Sequence, residues 1–159
     1  TMPHLPIFVY GTLLPGQPNA HLWQQPGATT QPAALPNARL YSMGYYPMLV
    51  ETDDDALVHG ALISLPRAAH AATLARLDAL EGYDPDAPDA PGYRRVERRV
   101  RLANGRFTPA WLYAGQPDLV AGQPPIPDGD WLAYAAAHAA ELAAWWAAVE
   151  SVAGRHGNG

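Results

Sequence analysis

Short apolar runs separated by glycine, proline and asparagine turns occupy most of the chain up to Gly115, and this pattern predicts β-strands joined by loops. We predict strands at about residues 6–10, 30–42, 56–65, 93–103 and 107–114. The Asn104-Gly105 pair between the last two strands predicts a tight hairpin. Residues 44–49 predict an aromatic loop, and the proline-rich residues 84–92 predict an exposed loop.

Helical spacing of apolar residues marks two longer segments and one short piece near residues 19–24. Pro66 and Gly82 bound a predicted helix over residues 67–81, because proline suits the first turn of a helix and glycine suits its end. Asp128 or Asp130 is predicted to cap a second helix over about residues 130–152. Its apolar stripe packs against the sheet or, alternatively, forms a dimer contact.

Glu81 occupies an unusual position in the first of these helices. Leu74, Leu77 and Glu81 are spaced i, i+3 and i+7, so the carboxylate lies on the stripe that the leucines direct at the core. The same count places Arg76 and Asp78 on the flanks, pointing away. Burial and the negative end of the helix dipole both favour a raised pKa, which suits a general base. The alternative is a surface glutamate at a frayed helix end.

The segment Tyr10-Gly11-Thr12-Leu13 follows the first predicted strand directly. A glycine after a β-rich run permits a sharp turn, and the amides of such a turn can donate hydrogen bonds to a carboxylate or an oxyanion. The alternative is that Gly11 only ends an edge strand.

Composition limits the classes of function. The chain has 159 residues, 48% of them hydrophobic, and we expect one domain over residues 2–153 followed by a disordered tail at 154–159. The sequence contains no cysteine, which excludes disulfides and thiol catalysis, and its histidines lack metal-ligand spacing. A net charge of −5 disfavours nucleic acid and anionic membranes as partners, and without a long apolar run we expect a cytoplasmic protein.

Several short motifs together resemble the gamma-glutamylcyclotransferase-like superfamily, which includes the AIG2-like proteins. Tyr10-Gly11-Thr12-Leu13 matches the opening motif of that family, and residues 77–82, Leu-Asp-Ala-Leu-Glu-Gly, match its Leu-Asp-x-x-Glu-Gly motif. Further matches are Gly44-Tyr45-Tyr46-Pro47, the strand at residues 58–62 and Tyr93-Arg94-Arg95-Val96. The resemblance runs from about Ile7 to Tyr113 and is closer to the small bacterial members and the gamma-glutamylamine cyclotransferases.

This resemblance implies an α+β fold, with a mixed β-sheet or small, partly closed barrel flanked by helices. It implies an enzyme that cyclises a gamma-glutamyl amine or peptide to 5-oxoproline and releases the amine. Glu81 would be the general acid and base, and residues 10–13 with Tyr93 and Tyr113 would line the pocket, although core packing is the alternative for Tyr113. No metal or organic cofactor is required, and the protein is expected to be a monomer or a homodimer.

Two other functions remain open from the sequence. One is a binding or regulatory module of the same fold without turnover, and the other is a tailoring enzyme that removes a gamma-glutamyl protecting group in a biosynthetic pathway. A two-carboxylate glycosidase is disfavoured, because Glu51 is expected in a surface ion pair and Glu97 is expected to be neutralised by Arg95, Arg98 and Arg99.

Overall fold

The computed structural model of the protein describes residues 4–151, with side chains as far as residue 148. The strands are β1 (Ile7–Val9), β2 (Thr29–Pro36), β3 (Ala38–Ser42), β4 (Pro47–Glu51), β5 (Leu57–Ser64), β6 (Arg94–Leu102) and β7 (Phe107–Ala114). Five of them form a closed barrel in the order β1, β5, β2, β6, β7, and a separate two-stranded sheet pairs β3 with β4. The tail predicted at 154–159 lies outside the described residues.

Closure of the barrel depends on the short strand β1. It pairs antiparallel with β5 and parallel with β7, where Ile7 lies opposite Trp111. All three residues of β1 are buried and belong to the hydrophobic core. The α+β expectation with a small barrel is confirmed.

One strand prediction and one loop prediction need correction. The predicted strand at 30–42 is two strands, because Asn37 adopts a left-handed conformation (φ 61°) that interrupts the extended chain. The aromatic loop predicted at 44–49 is half wrong, since Pro47 begins β4, which pairs with β3. Four of the five β4 residues are buried, so this strand lacks the alternating pattern that would have revealed it.

The helix α1 (Arg67–Glu81) has the bounds that the sequence predicted. The single helix predicted over 130–152 is wrong, because it is divided into α2 (Trp131–Ala137) and α3 (Ala139–Ser151). His138 leaves the helical conformation between them, at φ −118° and ψ 26°. Asp130, not Asp128, caps α2 by accepting a hydrogen bond from the Ala133 amide.

Short 3₁₀ helices complete the connections at Ala20–Leu22, Pro117–Val120 and Pro127–Gly129. The Trp131 side chain, at the start of α2, is 1% exposed and joins the core of the barrel. Within residues 4–151, every helix is too short or too polar to cross a bilayer.

Candidate functional site

The C-terminal end of α1 turns a carboxylate into the protein interior. Glu81 is 5% exposed and follows Leu74 and Leu77 along the buried stripe, as the helical spacing predicted. Gly82 adopts the left-handed conformation at φ 74° and ends the helix. The Tyr83 amide donates to the Asp78 carbonyl at 2.9 Å, which completes a Schellman motif and fixes the turn that carries Glu81.

Three buried tyrosines lie within range of the charge of this carboxylate. Burial raises the pKa of Tyr10 well above its ordinary value, and the negative charge of Glu81 raises it further. The pKa values of Tyr93 and Tyr113 are also well raised, chiefly by burial, with Glu81 among the further causes. Because the charge of Glu81 acts on all three hydroxyl groups, the structure brings these four predicted site residues into one cluster.

Each of these hydroxyl groups donates its proton to another oxygen. The Tyr10 hydroxyl donates to the Tyr113 carbonyl at 2.6 Å, and the Tyr93 hydroxyl donates to the Pro47 carbonyl at 2.8 Å. The Tyr113 hydroxyl donates to Asp78 Oδ1 at 2.7 Å. These bonds hold the three rings in place as neutral walls of the cluster.

The predicted turn Gly11-Thr12-Leu13 follows Tyr10 and is buried. Its carbonyl oxygens accept hydrogen bonds, in chain order, from the Leu14 amide at 3.0 Å, the Asn19 amide at 2.9 Å and Trp23 Nε1 at 2.7 Å. The Asn19 side chain also donates to the Thr12 hydroxyl at 3.0 Å. The turn is therefore held rigidly, and its carbonyl oxygens, which would repel an anion, are already engaged by the protein.

Asp78 is a site residue that the sequence placed wrongly. The helical count put it on an outward flank, but its carboxylate is buried at 6% exposure. Its oxygens accept from the Tyr113 hydroxyl and from Arg95 Nη1, both at 2.7 Å. Burial raises the pKa of Asp78, while the hydrogen bond from Tyr113 and the charge of Arg95 oppose that rise. The prediction for Arg76 is confirmed, since that residue is exposed.

Arg95 is also used differently from the prediction. We expected it to neutralise Glu97, but its guanidinium group forms the buried ion pair with Asp78. The surface ion pair expected for Glu51 is confirmed, with Arg98 as the partner. The sequence did contain a signal for the buried position of Arg95. Side chains alternate between the two faces of an extended chain, so Arg95 lies on the same face as Tyr93, which was predicted to line the pocket.

The described residues include a surface groove of about 450 Å³ lined by Arg39, Leu57, His59 and Gly129, among others. None of the residues clustered around Glu81 contributes to it. Its arginine is exposed and already paired with Asp54, so the groove does not gather the buried charges that mark the α1 cluster. Over the described part of the chain, no three histidine, aspartate or glutamate side chains are grouped as metal ligands would be.

Comparison with known proteins agrees with the motifs. Residues 7–133 match the family model of the gamma-glutamyl cyclotransferase, AIG2-like family. The chain is 34% identical over 126 residues to the gamma-glutamylcyclotransferase family protein YtfP of Escherichia coli K12, covering 79% of this chain and 95% of that protein. It is 35% identical over 130 residues to a putative gamma-glutamylcyclotransferase of Vibrio cholerae, covering 82% and 96% of the two chains.

Solved structures show the same fold. An AIG2-like protein from Mus musculus superposes with a TM-score of 0.57 at 22% identity, covering 77% of this chain and 85% of that one. YkqA from Bacillus subtilis gives a TM-score of 0.62 at 22% identity over 86% of this chain, which spans 42% of YkqA. With the family model and the curated relatives in agreement, the chain belongs to the gamma-glutamyl cyclotransferase, AIG2-like family.

Proposed function

We propose that the protein is an enzyme that cyclises a gamma-glutamyl amine or gamma-glutamyl peptide to 5-oxoproline and releases the attached amine. The observation that carries this proposal is the buried carboxyl group of Glu81, whose charge acts on the buried hydroxyl groups of Tyr10, Tyr93 and Tyr113. Membership of the gamma-glutamyl cyclotransferase, AIG2-like family supports the class of reaction.

The reaction requires one group that moves protons. The α-amine of the substrate attacks its own γ-carbonyl carbon, so both reacting groups already belong to one molecule. Glu81 takes the proton that the α-ammonium group must lose, and a new C–N bond then closes the five-membered ring. Glu81 returns that proton to the leaving nitrogen as the original amide C–N bond breaks. It then passes the second proton that the ring nitrogen must lose to the released amine, which departs as an ammonium ion and leaves Glu81 as a carboxylate.

The turn at residues 10–13 holds the anionic part of the substrate in this proposal. Backbone amides of Gly11, Thr12 and Leu13 donate hydrogen bonds to the α-carboxylate or to the oxyanion formed at the γ-carbonyl. Support comes from the rigidity of the turn, whose carbonyl oxygens are engaged by protein donors. A donor array that is fixed before the substrate arrives loses little free energy to reorganisation.

The three tyrosines shape the pocket in this mechanism. Their raised pKa values keep them neutral at physiological pH, so they leave Glu81 as the basic group of the cluster. Their hydroxyl protons are directed to the Tyr113 carbonyl, the Pro47 carbonyl and Asp78. Rings held in this way fold an extended gamma-glutamyl chain toward the bent pose that cyclisation requires.

The test is an assay of product release in buffer containing EDTA, because the mechanism uses no metal or organic cofactor. Gamma-glutamyl amino acids, gamma-glutamyl amines and gamma-glutamyl isopeptides are supplied separately, and 5-oxoproline and free amine are quantified together. We expect at least one class to give the two products in a 1:1 ratio at a rate proportional to protein concentration. Saturable binding without 5-oxoproline formation would instead identify a binding module.

A further inference from the structure

Arg95 touches the chain on both sides of Glu81. Its Nη1 donates to Asp78 Oδ2 at 2.7 Å, three residues before Glu81, and its guanidinium carbon lies 5.4 Å from the centre of the Tyr83 ring, two residues after. The backbone amide of Tyr83 also donates a hydrogen bond to the Asp78 carbonyl. One side chain from β6 therefore holds both ends of the turn that presents the carboxyl group.

Arg95 is itself held by β7. It lies directly opposite Tyr113 in the β6–β7 pairing, and its guanidinium carbon is 4.9 Å from the centre of the Trp111 ring. Trp111 lies opposite Ile7 of β1, the strand that leads into the turn at residues 10–13. Arg95 thereby connects the helix end that bears Glu81 to the strands that carry the proposed anion-binding turn.

The burial of Arg95 carries a cost in folding free energy that is hard to explain if this residue only stabilises the fold. Its side chain is 7% exposed, and its Nε finds no hydrogen-bond acceptor among the described residues. The nearby Trp111 Nε1 is buried without an acceptor as well. Buried donors without acceptors are destabilising, and a buried ion pair is weak evidence for stability, so geometric control of its neighbours is the better explanation for this arginine.

We propose that Arg95 is a positioning residue that fixes the orientation of the Glu81 carboxyl group relative to the turn at residues 10–13. The proposal rests on the function proposed above for Glu81. Arg95 contacts the residues around Glu81 and does not take part in the proton transfer itself. A displacement of about 1 Å in a reacting group can reduce a rate by about 10²-fold, so loss of this restraint should affect kcat more than KM.

The first experiment does not depend on whether the protein has enzymatic activity. Amide hydrogen exchange is compared in the parent protein, in Arg95→Met and in Arg98→Met, a control that removes an arginine of the same strand from an exposed ion pair. We expect the Gly82 and Tyr83 amides to exchange at least about tenfold faster in Arg95→Met, with little change at Thr73 and Leu74, and neither region to change in Arg98→Met. Equal protection at Gly82 and Tyr83, or uniform acceleration along α1, would overturn the proposal.

The second experiment measures turnover well below each thermal midpoint. We expect Arg95→Met to lower kcat by about 10- to 100-fold, with KM within about threefold of the parent. The kcat of Arg95→Lys should lie between that of the parent and that of Arg95→Met. Lysine keeps the charge toward Asp78 but loses the planar contact with the rings of Tyr83 and Trp111, and it serves as the test if the methionine variant fails to fold. A folded variant with kcat within twofold of the parent would overturn the positioning role. A parent without turnover would refute the proposed function, while the exchange experiment would still decide the restraint.

Discussion

Arg95 and Tyr113 lie directly opposite each other on β6 and β7, and both donate to the carboxylate of Asp78, each at 2.7 Å. Side chains from two neighbouring strands thus hydrogen-bond to the two separate oxygens of one helical carboxylate. Asp78 lies three residues before Glu81 on the same helix, so these two hydrogen bonds also fix the position of Glu81, the proposed general acid and base.

Removal of the Asp78 carboxylate should destabilise the protein strongly. In Asp78→Ala, the buried Arg95 cation and the Tyr113 hydroxyl lose their acceptor, and loss of one partner of a buried ion pair costs roughly 3–5 kcal/mol in free energy of unfolding. Glu51→Ala is the matched control, since the pair of Glu51 with Arg98 is exposed and should matter much less. Urea unfolding of both variants measures the difference. Equal losses of free energy of unfolding would contradict the stabilising role of the buried contacts of Asp78 with Arg95 and Tyr113.

The three buried tyrosines should make the protein sensitive to alkali. Their folded pKa values are raised well above 10, whereas unfolded tyrosine ionises near pH 10. Their contribution to stability is therefore complete below about pH 10 and is lost as pH rises toward the folded pKa values, by up to about 1.4 kcal/mol per pH unit for each tyrosine. Urea unfolding between pH 9 and about 11.5 should show this decline.

A variant identifies which groups are responsible for that decline. Tyr93→Phe removes one of the three ionisations, so the fall in free energy of unfolding with pH should become shallower by about 1.4 kcal/mol per pH unit. An unchanged slope would mean that Tyr93 ionises equally in the folded and unfolded states, contrary to its burial at 5% exposure.

Gly82 should tolerate substitution only at a backbone cost. A Cβ added at this position would meet no atom within 4 Å, so the penalty comes from the left-handed conformation alone. We expect Gly82→Ala to lower the free energy of unfolding by roughly 1–2 kcal/mol and Gly82→Asn by less, because asparagine tolerates this conformation better. Thermal melts of the two variants provide the comparison, and a larger loss for asparagine would contradict the assignment.

The turn after β1 is tested through Gly11. If the backbone around Gly11 approaches the substrate closely, a side chain there should block binding, and we expect Gly11→Val to lose 5-oxoproline formation while the core remains folded. Near-ultraviolet circular dichroism and the product assay are measured on the same preparation. Full activity with a native spectrum would show that Gly11 only ends the strand.

Local signals in the sequence were sufficient for the parts of the fold that follow local rules. Pro66, the spacing of Leu74, Leu77 and Glu81, and Gly82 define α1, whose bounds match the prediction. The break at His138 lacked such a signal, since the apolar spacing continues through it. There the Tyr134 carbonyl still accepts a hydrogen bond from the His138 amide at 3.1 Å, and Nδ1 of the His138 ring lies 2.9 Å from the same oxygen, so the break is a local change in the backbone angles of His138.

The site was predictable only in part for a related reason. The burial of Glu81 and the turn at residues 10–13 could be predicted from their own neighbours, and the family motifs add the roles proposed for them. The ion pair of Asp78 with Arg95 could not, because it depends on how α1 lies across β6 and β7, and the helical count assumed a single buried stripe. Contacts between distant segments follow from the closed barrel, which no local pattern specifies.

The most direct test of the catalytic role of Glu81 is the rate of 5-oxoproline formation in Glu81→Gln, measured beside Glu97→Gln. The control makes the same substitution at an exposed glutamate of β6 and should retain the parent rate. Glutamine keeps the size of the Glu81 side chain but cannot carry the proton, so we expect kcat to fall by about 10²- to 10⁴-fold while calorimetry still detects ligand binding. Turnover within about threefold of the parent would contradict the role of Glu81 as the general acid and base.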